Sequence, residues 1–160
     1  TGSNTLQVRV EDAAGNAGTS TSQAYTLDTT APTTTVSTVV FSNDTGTSTT
    51  DFTTNSASQT ISGTLSAVVA SGEVVKVSID NGATWQTATT TVGSNTYSLS
   101  GVTLTASNTL QVRVEDAAGN AATAKTRAYT FDTTAPTTTV STIVFSNDTG
   151  TSNSDFITKT

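Results

Sequence analysis

The chain repeats itself over a distance that fixes its architecture. Thr-Leu-Gln-Val-Arg-Val-Glu-Asp-Ala-Ala-Gly-Asn-Ala stands at residues 5–17 and again at 109–121. Asp28–Thr38 returns as Asp132–Thr142, and Phe41–Ser48 as Phe145–Ser152. Every pair is offset by 104 positions, and residues 1–56 match residues 105–160 at 43 of 56 positions. A solenoid turn has a period of about 20–50 residues. A period of 104 is that of a domain. The boundary is expected in the Pro-containing Asp-Thr-Thr-Ala-Pro segment. That makes 1–32 the C-terminal part of a preceding repeat plus linker. Residues 33–136 are a complete repeat plus linker, and 137–160 the N-terminal part of a following one. The pattern starts in mid-unit, as expected of a piece of a longer array.

Within the unit, apolar residues alternate with polar ones. Val36, Val39 and Phe41 mark a first strand, and Ile61, Gly63 and Leu65 a second. Val75, Val77 and Ile79 mark a third, which Asp80-Asn81-Gly82 turns into a short strand with Trp85. Tyr97, Leu99 and Val102 follow, then Leu110, Val112 and Val114, then Tyr129 and Phe131. Period-two alternation with turn residues between is the strand signature, and no segment carries a helical period. Seven short strands in about 100 residues predict an all-β, immunoglobulin-like antiparallel β-sandwich. With no Cys pair, Trp85, Tyr97, Tyr129 and aliphatic residues are expected to make the core.

Composition narrows the chemistry. The chain has no Cys and no His, which removes the usual zinc and iron–sulfur ligands and the Ser-His-Asp and Cys-His nucleophilic schemes. Thr (41) and Ser (20) together exceed a third of the 160 residues, so a hydroxylic surface is expected. The net charge of −6 disfavours nucleic acid, whose phosphates need Lys and Arg, and suits divalent cations. No run of 18 apolar residues offers a membrane span, and no signal-peptide pattern stands at Thr1.

The few carboxylates fall at strand ends and turns. Asp44 and Asp51 bracket a loop containing Gly46. Glu115, Asp116 and Asn120 follow the sixth strand, with Glu11, Asp12 and Asn16 in the earlier copy. Asp80 sits in a hairpin turn, Asp28 and Asp132 open the linkers, and Asp148 and Asp155 repeat the first loop. Carboxylates mixed with carbonyls suit Ca2+, which takes about six to eight oxygens. The same residues also serve ordinary turns by capping backbone N–H groups. Alternating strand direction would set Asp28 beside Glu115, Asp116 and Asn120 at one end of the unit. At the other end it would set Asp132 near Asp44, Asp80 or the next unit.

These motifs carry a resemblance. Asp-Thr-Gly-Thr-Ser-Thr-Thr-Asp-Phe at 44–52, Val-Glu-Asp-Ala-Ala-Gly-Asn-Ala at 114–121 and Asp-Thr-Thr-Ala-Pro resemble the tandem bacterial Ig-like repeats of giant RTX and Bap-type adhesins. The period and the Thr-rich composition look closest to the extender repeats of an ice-binding RTX adhesin of an Antarctic marine bacterium. The resemblance implies a calcium-rigidified sandwich, secreted by a type I system and retained at the outer membrane. It also implies that such repeats space terminal binding domains away from the cell. It maps the family's acidic loops onto Asp44 and Asp51, onto Asp116 and Asn120, and onto the linker residues Asp28 and Asp132. Glu115 departs from the uncharged residue often found there.

The leading expectation is therefore a structural spacer with Ca2+ as cofactor and neighbouring identical repeats as partners. Each unit would span roughly 40 Å at the strand rise. Direct binding of ice or glycan is the alternative. Thr suits an ice face, but the chain lacks a short regular Thr-x-Thr period. Catalysis by carboxylates alone stands third. The partial repeats at the two ends expose unpaired edges and are expected to pair between chains, or to pack on the complete unit.

Overall fold

The computed structural model describes residues 2–159. Its regular structure is all strand, in the order β1 (Gly2–Val8), β2 (Thr21–Leu27), β3 (Val40–Phe41), β4 (Thr53–Thr54), β5 (Ser58–Thr64), β6 (Val74–Ser78), β7 (Gln86–Thr87), β8 (Thr89–Thr90), β9 (Thr96–Thr103), β10 (Asn108–Glu115) and β11 (Lys125–Phe131). One sheet runs β4-β11-β10-β6-β7 and the other β3-β5-β9-β8. The inward positions of the two sheets form one apolar core. Alternation explains it directly: on β10, Leu110, Val112 and Val114 are fully buried, while Gln111, Arg113 and Glu115 face outward. The expected sandwich is present.

The structure adds a short strand after the acidic loop and splits another between the sheets. The first edge segment pairs with β5 through Val40 and Phe41, and Val36 bridges Leu65. After the Asp44–Asp51 loop the chain pairs in parallel with β11, Thr53 opposite Thr130 and Thr54 opposite Phe131. The expected strand at Trp85 is the one split: β7 pairs with β6 and β8 with β9, and Ala88 is buried between them. Nine strands thus make up the unit where seven were expected.

Trp85 is not a core residue. It lies half-buried on the outer face, where its indole N–H donates to Gly82 O at 3.0 Å and Arg113 stacks 3.8 Å above its ring. The core aromatics are Phe41, Phe52, Tyr97 and Tyr129. Phe41 meets Phe52 and Tyr129 at 4.9 and 5.7 Å between ring centres. Both phenols are satisfied: Tyr97 donates to Thr38 O at 2.9 Å and Tyr129 to Ile79 O at 2.8 Å. Gly63 is required where Tyr97 meets Thr38, since a Cβ there would stand 2.0 Å from Thr38 O.

The hairpin β1–β2 reproduces β10–β11. Asn4 pairs with Tyr25 as Asn108 pairs with Tyr129. Leu6, Val8 and Tyr25 nevertheless remain 58, 62 and 51% exposed. Residues 137–159 contain no strand, although a first strand was expected there, and Val140, Ile143 and Val144 are exposed. These strand and loop geometries are local, whereas the burial of their apolar faces depends on the opposite sheet.

The duplication supplies an internal control for core energetics. Leu110→Ala empties a fully buried site and should cost about 2–5 kcal/mol in urea unfolding. Leu6→Ala, in the same sequence context but exposed, should cost no more than about 0.5 kcal/mol. Equal costs would contradict the assigned packing.

Candidate functional site at the repeat junction and its acidic loops

The turn between β10 and β11 is built by one carboxylate. Asp116 Oδ1 accepts the Ala118 and Asn120 amides at 2.9 and 2.8 Å, and Oδ2 accepts Asn120 Nδ2 at 2.9 Å. Gly119 adopts φ +87°, which closes the turn. Asp12 and Asn16 form the same lock in the first copy, at 2.9, 2.9 and 2.8 Å. The hydrogen bonds, led by that from the Asn side chain, hold Asp12 and Asp116 below the ordinary carboxylate pKa.

Asn120 also reaches across the junction. Its Nδ2 donates to Asp28 O at 3.1 Å, joining the incoming linker to the turn. Asp28, Asp116 and Glu73 line one concavity of about 430 Å³ there. The structure thus brings Asp28, Asp116 and Asn120 together and adds Glu73, which stands immediately ahead of β6 and is no part of the expected set. Glu73 is held by its own turn, accepting the Ala70 amide at 2.9 Å.

Glu115 points elsewhere. It alternates with Asp116 across β10 and shares the outer face with Arg113, two residues back, which it meets at 2.6 Å. The adjacent carboxylates avoid repulsion by facing different partners, one a guanidinium and one a ring of amides. Glu11 pairs with Arg9 identically at 2.6 Å.

At the other end, the Asp44–Asp51 loop carries the chain between sheets. Asp44 Oδ2 accepts the Phe52 amide at 2.9 Å, and Asp51 Oδ1 accepts the Thr53 amide at 2.9 Å. Phe52 has φ +66°, a costly conformation for an aromatic residue. The root of the loop is clamped by buried polar side chains absent from the sequence reading. Thr54 Oγ1 donates to Asn43 O at 2.6 Å, and Gln59 Nε2 to Asn43 O and Ser56 O at 2.9 Å. Gln59 also accepts the Asn43 amide at 3.0 Å. Nothing in the Ser- and Thr-rich strand around Gln59 marks it in advance. Asp44 Oδ1 is buried without a hydrogen-bond partner, and so is Asp148 Oδ1 in the second copy of the loop. Asp148 Oδ2 accepts the Phe156 amide at 3.0 Å and Asp155 Oδ1 the Ile157 amide at 3.1 Å, repeating the pattern.

Asp132 opens the outgoing linker. Its amide donates to Thr54 O at 3.0 Å and its Oδ1 accepts the Thr134 amide at 2.8 Å. It lines a small concavity with Thr45, Gly46 and Asn55, so the first acidic loop does lie beside this linker. Asp80 stays within its own turn. Its carboxylate accepts Ser78 Oγ at 2.6 Å, the Thr84 amide at 2.9 Å and the Thr84 hydroxyl. The Ser78 and Thr84 side chains are the main cause that lowers its pKa to about 2.

Among the described residues, no three or more of His, Cys, Asp and Glu are gathered as a ready-made metal site. The hydroxyl-lined concavity on the four-stranded sheet is largely self-satisfied. Thr38 bonds Thr64 at 2.8 Å, Ser94 bonds Thr96 at 2.9 Å, and Thr90 donates to Thr96 O at 3.0 Å.

Two facing sheets with acidic turns at the linkers define an Ig-like β-sandwich module. A family model for the bacterial Ig-like domain matches residues 30–133, and the chain belongs to that family. Such domains typically occur in extracellular or surface proteins and are typically non-catalytic. No curated protein sequence matches the chain.

The carboxylates can be read out by pH. The folded-state pKa of Asp80 lies below its ordinary value of 3.8, so its stabilising contribution is complete above about pH 4 and fades toward pH 2. NMR titration of the Asp80 carboxyl should give about 2, and Thr84→Val should move it back toward 3.8. Asn120→Ala should raise the Asp116 value by the same logic while leaving Asp12 unchanged.

Proposed function

We propose that the chain is a calcium-rigidified spacer of a bacterial cell-surface adhesin, in which successive repeats hold a terminal binding region away from the cell. The observation that carries this reading is the junction. A side chain of one unit, Asn120, clasps the linker backbone at Asp28, and three carboxylates line the concavity between them. A linker tied to the domain it enters transmits orientation from one unit to the next. Pro32 and Pro136 stiffen the same segments.

The donors suit calcium in kind. They are oxygens throughout, and the buried, unpartnered Asp44 Oδ1 is the sort of atom an ion or an ordered water satisfies. At the junction Asp28 and Asp116 would contribute to an ion site together with backbone carbonyls. Asp44 would hold another at the sheet-crossing loop, beside the linker that begins at Asp132. Bound there, calcium supplies charge neutralisation and cross-linking. The protein's part is to bring carboxylates from separate turns to one linker. Secretion by a type I route and retention at the outer membrane belong to the same proposal and rest on the resemblance of the motifs.

Extracellular calcium modules bind at about 0.1–1 mM, and an ion at tenfold excess over its Kd adds about 1.4 kcal/mol. Millimolar Ca2+ should therefore raise the Tm of the chain by several degrees, and Asp28→Asn with Asp116→Asn should remove much of that rise. Small-angle scattering of a four-repeat array should show a longer maximum dimension in calcium than in EGTA. An unchanged dimension would sink the spacer reading.

A further inference from the structure

We infer that the cleft between β3 and β11 is a binding site for a carboxylated sugar, a uronic acid residue of an acidic polysaccharide. The cleft exists because β4 covers only Thr130 and Phe131 of β11, leaving the edge from Lys125 to Tyr129 without a strand on that side among the described residues. Its floor is Val39, Phe41 and Phe52, and its volume is about 280 Å³. That is just below the range of about 300–1,000 Å³ for small-molecule sites, which fits one ring rather than a large ligand.

Its charge is unusual for this chain. Lys125 and Arg127 pair across the ladder with Val112 and Leu110, so they stand on the core-facing side of β11 and line the cleft. Both are exposed, and neither has an ion-pair partner among the described residues, whereas Arg9 and Arg113 each hold a glutamate. The Arg127 guanidinium lies 5.0 Å over the Phe52 ring, which presents its donor fork at the rim. Asp44 also lines the cleft, and its Oδ2 accepts the Phe52 amide there. A carboxylate only accepts hydrogen bonds. The site therefore asks for an anion facing two cations, a hydroxyl donor facing Asp44, and an apolar face over the floor. A uronate ring carries all three in one compact molecule.

The two copies of the repeat diverge here. Of the eleven residues lining the cleft, five differ at the 104-residue offset: Val39 from Ile143, Thr49 from Asn153, Thr50 from Ser154, Lys125 from Thr21 and Arg127 from Gln23. Over the whole overlap only 13 of 56 positions differ, the remainder after 43 matches. The scaffold is kept while this cleft changes, and both cations are among the changes.

The test uses the 160-residue chain and the double substitution Lys125→Thr with Arg127→Gln. Those residues stand at the equivalent positions of β2, which pairs in the same register, and a melting curve checks that the sandwich keeps its fold. Amide NMR is followed while sodium glucuronate, then a short oligogalacturonate, is added in EGTA, with glucose and acetate as controls. The expected result is shifts confined to residues near Phe52 and Lys125–Arg127, with oligogalacturonate. The double variant should bind at least about tenfold more weakly, as expected for loss of charge-assisted hydrogen bonds. Equal shifts with glucose or acetate, no shifts with either uronate, or undiminished binding by the variant would each overturn the inference. So would uronate binding that appears only with calcium and ignores the substitution. If the variant self-associates while uronate binding is unchanged, the two cations guard the open edge of β11, and the inference also fails.

Discussion

The fold turns on the crossing of the chain from one sheet to the other between Phe41 and Thr53. Without it, β3 and β4 could not cover edges of opposite sheets, and Phe41 and Phe52 could not pack against each other at 4.9 Å. The crossing confines backbone polar groups near an apolar core, where an unmade hydrogen bond costs about 1–3 kcal/mol. Thr54 and Gln59 satisfy Asn43 there, and Asp44 fixes the Phe52 amide in its left-handed conformation. One carboxylate thus determines where an aromatic core residue enters the sandwich. It lies next to the outgoing linker, so the same loop joins core packing to the path of the chain beyond the domain.

Much of this was legible in the sequence because alternation and turn chemistry are local. The alternation of Leu110, Val112 and Val114 predicts both strand and buried face, and the structure has both. The spacing of Asp116 and Asn120 places them in one turn, and the structure joins them there. What was not legible depends on residues far apart in the chain. Trp85 reads as core by residue type, but its place is decided by Arg113, which offers a cation to its ring on the outer face. The sheet switches at Ala88 and at 42–52 leave no mark on the period of the pattern. Glu115 was grouped with Asp116 as its neighbour in sequence, yet successive residues of a strand face opposite ways. Gln59 carries no signal at all, since its role depends on where Asn43 arrives.

The duplicated segments separate what the local sequence encodes from what packing encodes. The Asp12 turn and the Asp148 loop keep the bonding of their counterparts, although the apolar side chains around them are exposed. The acidic sites are therefore shaped by their own few residues. The sandwich adds their position relative to the linkers, and with it the link from turn geometry to the spacing of units.

The parallel contact of β4 with β11 has a mechanical consequence. The unit is entered ahead of β3 and left after β11, so a pull on the two linkers drags β4 and β11 in opposite directions along their length. The hydrogen bonds from Thr130 N to Phe52 O and from Asp132 N to Thr54 O lie across that direction. They are loaded together in shear rather than opened one after another like a zip. Rupture must break both at once, together with the packing of Phe52 beneath them. A short two-residue strand thereby becomes the latch that sets how much force the module bears before it lengthens.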